Sequence, residues 1–202
     1  LTSYIIMRNF SGEDFAKANV LLDYGQAFEE GILHEETKQL LFFKKDQVPV
    51  TKVWKFDSNI QPWDPEKVDD NVGIPVMYRI ENTEKSKLGQ NALWDGKARL
   101  QQEDGHGGTI VLGEDNAKLV PVGEKLELYI GDSRDIVVTQ RKMKDQRINF
   151  RKNNVGGVIL YDTDELIHVK MENFKDTPAV LTLVEHIEGQ WDMEKCELQY
   201  TR

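Results

Sequence analysis

The feature that most constrains this chain is its poverty in alanine. Seven of its 202 residues are Ala, while 58 are Val, Ile, Thr, Phe, Tyr or Trp. Ala is the strongest helix former, and β-branched and aromatic residues pack well on a pleated, half-buried surface. A helical bundle is therefore excluded and sheet is expected throughout. Leu126, Leu128 and Ile130 alternate with Lys125, Glu127 and Tyr129, the period-two pattern of a strand with one buried face. The nearest approach to a helical stripe is 26–40, which Gly31 interrupts, and at most a short helix is expected there.

Polar turns divide the strand-like runs into pairs. Ser3–Phe10 and Lys17–Tyr24 read as a hairpin across Ser11–Asp14, and Gln39–Lys45 as the partner of Val48–Phe56. Lys97–Glu103 and Thr109–Leu112 flank a Gly-dense turn at 104–108. Asp135–Lys142 is expected to pair with Gln146–Lys152, and Glu165–Asn173 with Ala179–Ile187. Ile74–Asn82 lies between two long polar loops, 57–73 and 83–96, the first of which is the best candidate boundary. The expected fold is all-β, an antiparallel β-sandwich of immunoglobulin-like character with little helix. It forms one unit over 1–202, with N-terminal β hairpins at 1–66 and a β-sandwich at 73–202 as the alternative division. Three strands end in Asn before a charged turn, at Asn9, Asn82 and Asn173. Asn suits that place independently each time, because its side chain bonds the turning backbone and tolerates left-handed φ.

The charge balance, 26 Lys+Arg against 35 Asp+Glu for a net −9, argues against nucleic acid, since neutralising phosphates takes surplus cations. No stretch approaches the roughly 20 apolar residues of a membrane-spanning helix. The lone Cys196 cannot staple the chain internally. The chain starts at Leu1 with no basic-then-apolar leader, so an excised domain or a processed product is expected and the compartment stays open.

Arg8-Asn9-Phe10-Ser11-Gly12-Glu13-Asp14-Phe15, followed by Ala18-Asn19-Val20-Leu21-Leu22, resembles the opening of a domain of unknown function. That domain forms the C-terminal part of bacterial mucoidy-inhibitor-A-like proteins. The resemblance continues at Tyr78-Arg79-Ile80-Glu81-Asn82, Gly96-Lys97-Ala98-Arg99-Leu100, Leu112-Gly113-Glu114-Asp115 and Tyr129-Ile130-Gly131-Asp132. It closes at Val169-Lys170-Met171-Glu172-Asn173-Phe174-Lys175, Val184-Glu185-His186 and Trp191. The matches follow the family order over nearly the whole chain; each is short, so the specificity lies in their order and number. The resemblance implies a sandwich-like β-domain, commonly preceded by a coiled coil and another β-rich domain. It implies no established activity and no catalytic residues, and it makes the other domains of the same protein the first partners to expect. The family name points towards envelope and exopolysaccharide, which favours the envelope or periplasm over the cytoplasm. Relatives run further beyond the Trp-containing segment, so shortened or missing last strands are expected.

The leading function is thus a non-enzymatic structural or binding module of a larger bacterial, envelope-associated protein, with no cofactor. One alternative is a polysaccharide- or polyanion-binding module. The segment 141–152 carries Arg141, Lys142, Lys144, Arg147, Arg151 and Lys152 against the single acid Asp145, a local reversal of charge suited to an anionic partner. Trp63 and Trp94, in the two long loops, offer flat rings to a sugar. The competing reading of the segment is an edge hairpin guarded by Lys and Arg against strand-to-strand association. A second alternative is a metal-dependent hydrolase. Pairing Asn173 with Ala179 would set His168 and His186 diagonally, roughly 7 Å apart, though a zinc site needs a third protein ligand. No nucleophile elbow, phosphate loop or dinucleotide fingerprint is present. Gly105-His106-Gly107-Gly108 reads as a tight turn, and the acidic loop 57–73, which lacks the EF-hand spacing, as solvated.

Overall fold

The computed structural model describes residues 1–22, 27–60 and 73–201. Twelve strands follow one another along them: β1 Thr2–Arg8, β2 Phe15–Leu21, β3 Ala27–Ile32, β4 Thr37–Lys44, β5 Thr51–Asp57, β6 Ile74–Glu81, β7 Gly96–Glu103, β8 Thr109–Ala117, β9 Lys125–Ser133, β10 Ile136–Lys152, β11 Val158–Asn173 and β12 Val180–Val184. One short 3-10 turn, Glu84–Ser86, is the only helical element among the described residues. The chain is all-β and sandwich-like, as its composition requires.

The body is a four-stranded sheet in the order β12-β5-β6-β9. At one end Ile80, Leu126 and Leu128 bury against Leu88, Leu93 and Val120, with Ala98, Leu100 and Ala117 of the β7–β8 hairpin closing the layer. At the other end Trp54, Ile74 and Val76 bury against Ile136 and Val138 of β10 and Leu181 of β12. The second layer of the sandwich is therefore made of two different ribbons, one over each end of the sheet. On β9 the predicted alternation holds, with Leu126 and Leu128 buried and Lys125 and Tyr129 exposed.

Several expected pairings are replaced. β1 pairs with β4 and β2 with β3, both antiparallel. The run 2–21 thus lies against 27–44 as one long ribbon with a polar elbow at 9–14 and 33–36. The Ser11–Asp14 turn does not fold β1 back on β2, because the opposite turn captures it. Gly12 N donates to His34 Nδ1 (3.1 Å), His34 N to Asp14 Oδ1 (2.7 Å), and Glu35 N to the Asn9 carbonyl (2.8 Å). In place of a short helix, residues 27–40 hold β3, the elbow and the start of β4. Gly31 there marks a close approach: a Cβ would stand 2.6 Å from the Ala16 carbonyl oxygen.

The pair β4–β5 is not formed; β5 enters the body between β12 and β6. Asp135–Lys142 and Gln146–Lys152 belong to a single 17-residue strand, β10, whose partner is β11. β12 leaves β11 altogether and runs parallel to β5, with Leu181 opposite Trp54. A short apolar strand such as 180–184 fits either edge by pattern; burial of Leu181 against Trp54 selects this one. The hairpin β7–β8 forms as expected around the 104–108 turn, where the Asp104 carboxylate accepts from His106 N (2.7 Å) and Gly108 N (2.9 Å).

The chain exposes 15512 Å², whereas a compact monomer of this mass, 23.3 kDa, exposes about 9,700 Å². Ribbons that leave the body add to that surface. β10 shows where: Ile136 and Gln140 are buried, and every residue from Arg141 outward is exposed except half-buried Lys144.

Candidate functional site

The outer part of β10–β11 is a two-stranded arm. From Arg141 to Lys152 it extends roughly 35 Å, by the rise of about 3.4 Å per residue and allowing for twist. Its register sets Arg141 opposite His168, Lys142 opposite Ile167, Lys144 opposite Leu166 and Ile148 opposite Asp162. All six predicted cations therefore lie on one strand of one element, but they are not equivalent. Lys142 Nζ sits 3.1 Å from Glu165 and 3.4 Å from Asp145; the Glu165 hydrogen bond is the main reason its ammonium titrates above the usual lysine value. Lys144 is paired with Asp164. Farther out, Arg147 stacks on Tyr161, 4.4 Å from the ring centre. Arg151 and Lys152 have no carboxylate partner among the described residues. The segment is part of one strand of a long exposed ribbon, not half of a short 135–152 hairpin. Lys142 and Lys144 are matched to acids on β11, Arg141 faces His168, and the outer cations are presented to solvent.

The tip is shaped by Asn153. Its Oδ1 accepts from Val155 N (3.1 Å) and Gly157 N (2.8 Å), and its backbone N–H donates to the Gly157 carbonyl (2.8 Å). Gly156 supplies the left-handed φ of +86° that closes the loop. Val155 stands at the apex, 92% exposed. Phe150, Ile159, Leu160 and Tyr161 are exposed just behind it, and the Phe150 and Tyr161 rings meet at 6.3 Å. Sequence reading set a turn near 143–145 and missed this tip. The signal was Asn153-Asn154-Val155-Gly156-Gly157, a stronger turn sequence than Met143-Lys144-Asp145.

A second polar cluster anchors the arm. Gln140, 1% exposed, donates its Nε2 to the Glu185 carboxylate just after β12. Glu185 also engages Ser58, and His186 Nε2 lies 2.9 Å from Asp57 Oδ1 at the end of β5. Burial raises the Glu185 carboxyl above its ordinary range and nearby Asp57 adds to this; the bonds from Ser58 and Gln140 and the neighbouring His186 oppose it. The buried Gln140 Oε1 has no hydrogen-bond partner among the described residues. The cluster ties β5, β10 and β12 together. Ser58 is bonded to Glu185 and His186 to Asp57.

His168 and His186 do not share a sheet. His168 faces Arg141 on the arm, and His186 caps β5; the register that would set them diagonally does not exist. Among the described residues no group of three His, Cys, Asp or Glu is placed to hold a metal. Trp94 is 39% exposed beside Leu93, which bridges to Val120. Trp63 and most of the acidic loop 57–73 lie outside the described residues. Trp54 is buried, its ring flanked by Lys52 at 5.2 Å and Lys175 at 5.7 Å.

No protein-family model, no curated protein and no solved structure matches this chain.

Proposed function

We propose that this chain is a non-enzymatic binding module of a larger bacterial protein, akin to the C-terminal domain of mucoidy-inhibitor-A-like proteins, and that it meets its partner through the β10–β11 arm. The observation that carries the reading is the arm itself. Between Met143 and Leu166 it exposes nine large apolar side chains, and a two-stranded ribbon without a covering layer is marginal in water. Replacing 143–166 by an Asn-Gly turn tests whether the arm is for binding or for stability. The body should keep its unfolding temperature within a few degrees, since neither buried cluster includes a residue beyond Val138 on β10 or any residue of β11. Loss of the folded body would contradict the reading.

Within it, the partner is a polyanion. Unmatched Arg151 and Lys152, with Arg147 behind them, favour this form. Retention on immobilised dextran sulfate at low salt, lost in the Arg147→Gln/Arg151→Gln/Lys152→Gln variant, tests it. Equal retention of the variant would remove the polyanion from the proposal. The distal cations carry this form of the reading.

A further inference from the structure

Resting on the polyanion reading, we infer that the arm tip docks on an anionic lipid surface. Three observations converge on it. The first is composition: residues 147–161 (RINFRKNNVGGVILY) hold three cations and no carboxylate on a chain of net charge −9. The second is the apolar content of the same fifteen residues. Ile148, Phe150, Val155, Ile159, Leu160 and Tyr161 are all exposed. Apolar and aromatic side chains set among Lys and Arg are the composition of segments that rest in the headgroup region of a bilayer.

The third observation is geometric and separates a lipid surface from a protein. Ile148 is paired opposite Asp162 and Arg151 opposite Leu160, so Ile148 and Leu160 lie on one face of the ribbon, with Asp162 at its inner end, and Tyr161 lies on the other. Phe150 meets Tyr161 on that other face. The tip therefore carries apolar side chains on both faces, with Val155 at its end. A protein surface covers one face of a ribbon; a fluid interface surrounds it. Entry is shallow, because the ribbon's edge N–H and C=O groups would be unpaired in hydrocarbon. The arm also answers the repulsion between an acidic body and an anionic surface. Its roughly 35 Å reach holds the body several Debye lengths away, the screening length being about 8 Å at physiological salt. Asn153 fixes the loop through its bonds to Val155 and Gly157, so little order must be imposed on binding.

Co-sedimentation of the 202-residue chain with vesicles tests the inference. Vesicles of phosphatidylcholine alone are compared with vesicles of equal parts phosphatidylcholine and phosphatidylglycerol, and dextran sulfate serves as the soluble polyanion. Binding is expected to the phosphatidylglycerol vesicles and not to phosphatidylcholine. Arg147→Gln/Arg151→Gln/Lys152→Gln should weaken it roughly a hundredfold, at about a factor of five per cation. Phe150→Ser/Val155→Ser should weaken vesicle binding about tenfold or more while leaving dextran sulfate binding intact. These positions are exposed, and an unchanged far-UV spectrum and melting temperature confirm that the variants fold. Dextran sulfate binding without vesicle binding overturns the lipid inference and leaves the polyanion reading standing. Binding to neither overturns both. A concentration-dependent dimer that the Phe150→Ser/Val155→Ser change dissolves, without vesicle binding, assigns the tip to a second copy and overturns the inference.

Discussion

Asn82 has no exposed surface, and each polar atom of its side chain is used. Its Oδ1 accepts from Gly89 N at 2.9 Å, and its Nδ2 donates to the carbonyls of Asn91, Val120 and Pro121 at 3.0–3.2 Å. One side chain thus fixes the 83–96 loop against the end of β6. Asn9 and Asn173 do a smaller version of the same work. Each accepts from the N–H two residues on, Ser11 N and Lys175 N, and each donates to the carbonyl four residues on, of Glu13 and Thr177. The three strand-end Asn of the sequence therefore share a role, two of them with the same bonds. Asn82→Ala should cost about 3 kcal/mol in chemical denaturation, because several buried groups lose their partner at once. Asn82→Asp should cost at least as much at neutral pH, since a carboxylate cannot donate to the three carbonyls it would face. A loss under 1 kcal/mol for both would show that the loop is held by other contacts. Glu185 sets the pH dependence near the arm's base. Its carboxyl is raised above its ordinary 4.5, chiefly by burial. The native state binds that proton more tightly than the unfolded chain does. The contribution is present in full below the ordinary value and is lost as pH rises through the raised one. Glu185→Gln keeps an acceptor for Gln140 and removes the titration. Thermal melts on both sides of that window should show the variant gaining on the native protein as pH rises from about 4.5 towards neutrality. A constant difference between them would contradict this.

At the scale of elements, the fold consists of long ribbons more than of short hairpins. The strand-like runs themselves were legible: 74–82, 97–103, 109–112 and 125–130 all lie in or across β6, β7, β8 and β9. What the sequence hid was continuity. Polar interruptions at 9–14 and at 143–145 look like turns, and both lie along ribbons, the first as an elbow and the second as a bulged stretch where Met143 has no partner. Such interruptions are tolerated because most of these residues are exposed and the buried one, Asn9, is hydrogen-bonded to Glu13, Ile32 and Ser11. Pairing across distance was hidden for a different reason. The placement of β12 beside β5 depends on Leu181 finding Trp54, and no local pattern encodes that meeting. Of the candidate site, the cations were visible as a cluster, but their division into matched and unmatched members required the acids of β11. Gly31 gives a prediction at this scale. The nearest backbone oxygen would lie 2.6 Å from a Cβ, so Gly31→Ala should open the β2–β3 pairing and cost about 1–3 kcal/mol. Because β2–β3 belongs to neither buried cluster, the body sheet should persist. Protease nicking near 16–31, with an intact 74–133 fragment, would report both. A variant as stable and as protease-resistant as the native chain would show that β2 and β3 can separate without loss.

The molecule as a whole pairs a small, well-buried sheet with projections that are neither buried nor fully polar. Its excess accessible surface follows from this, and so does its segregation of charge: an acidic body and an arm tip with cations only. The arm places an apolar, cationic loop at the far end of its ribbon. Hydrogen exchange followed by mass spectrometry tests that account most directly, because it reads the cost of opening each element separately. In the free protein, amides of 143–166 should exchange far faster than those of 74–81 and 125–133, and they alone should slow when phosphatidylglycerol vesicles are added. An arm as protected as the body sheet in the free protein, or one unchanged by any polyanion, would contradict the account.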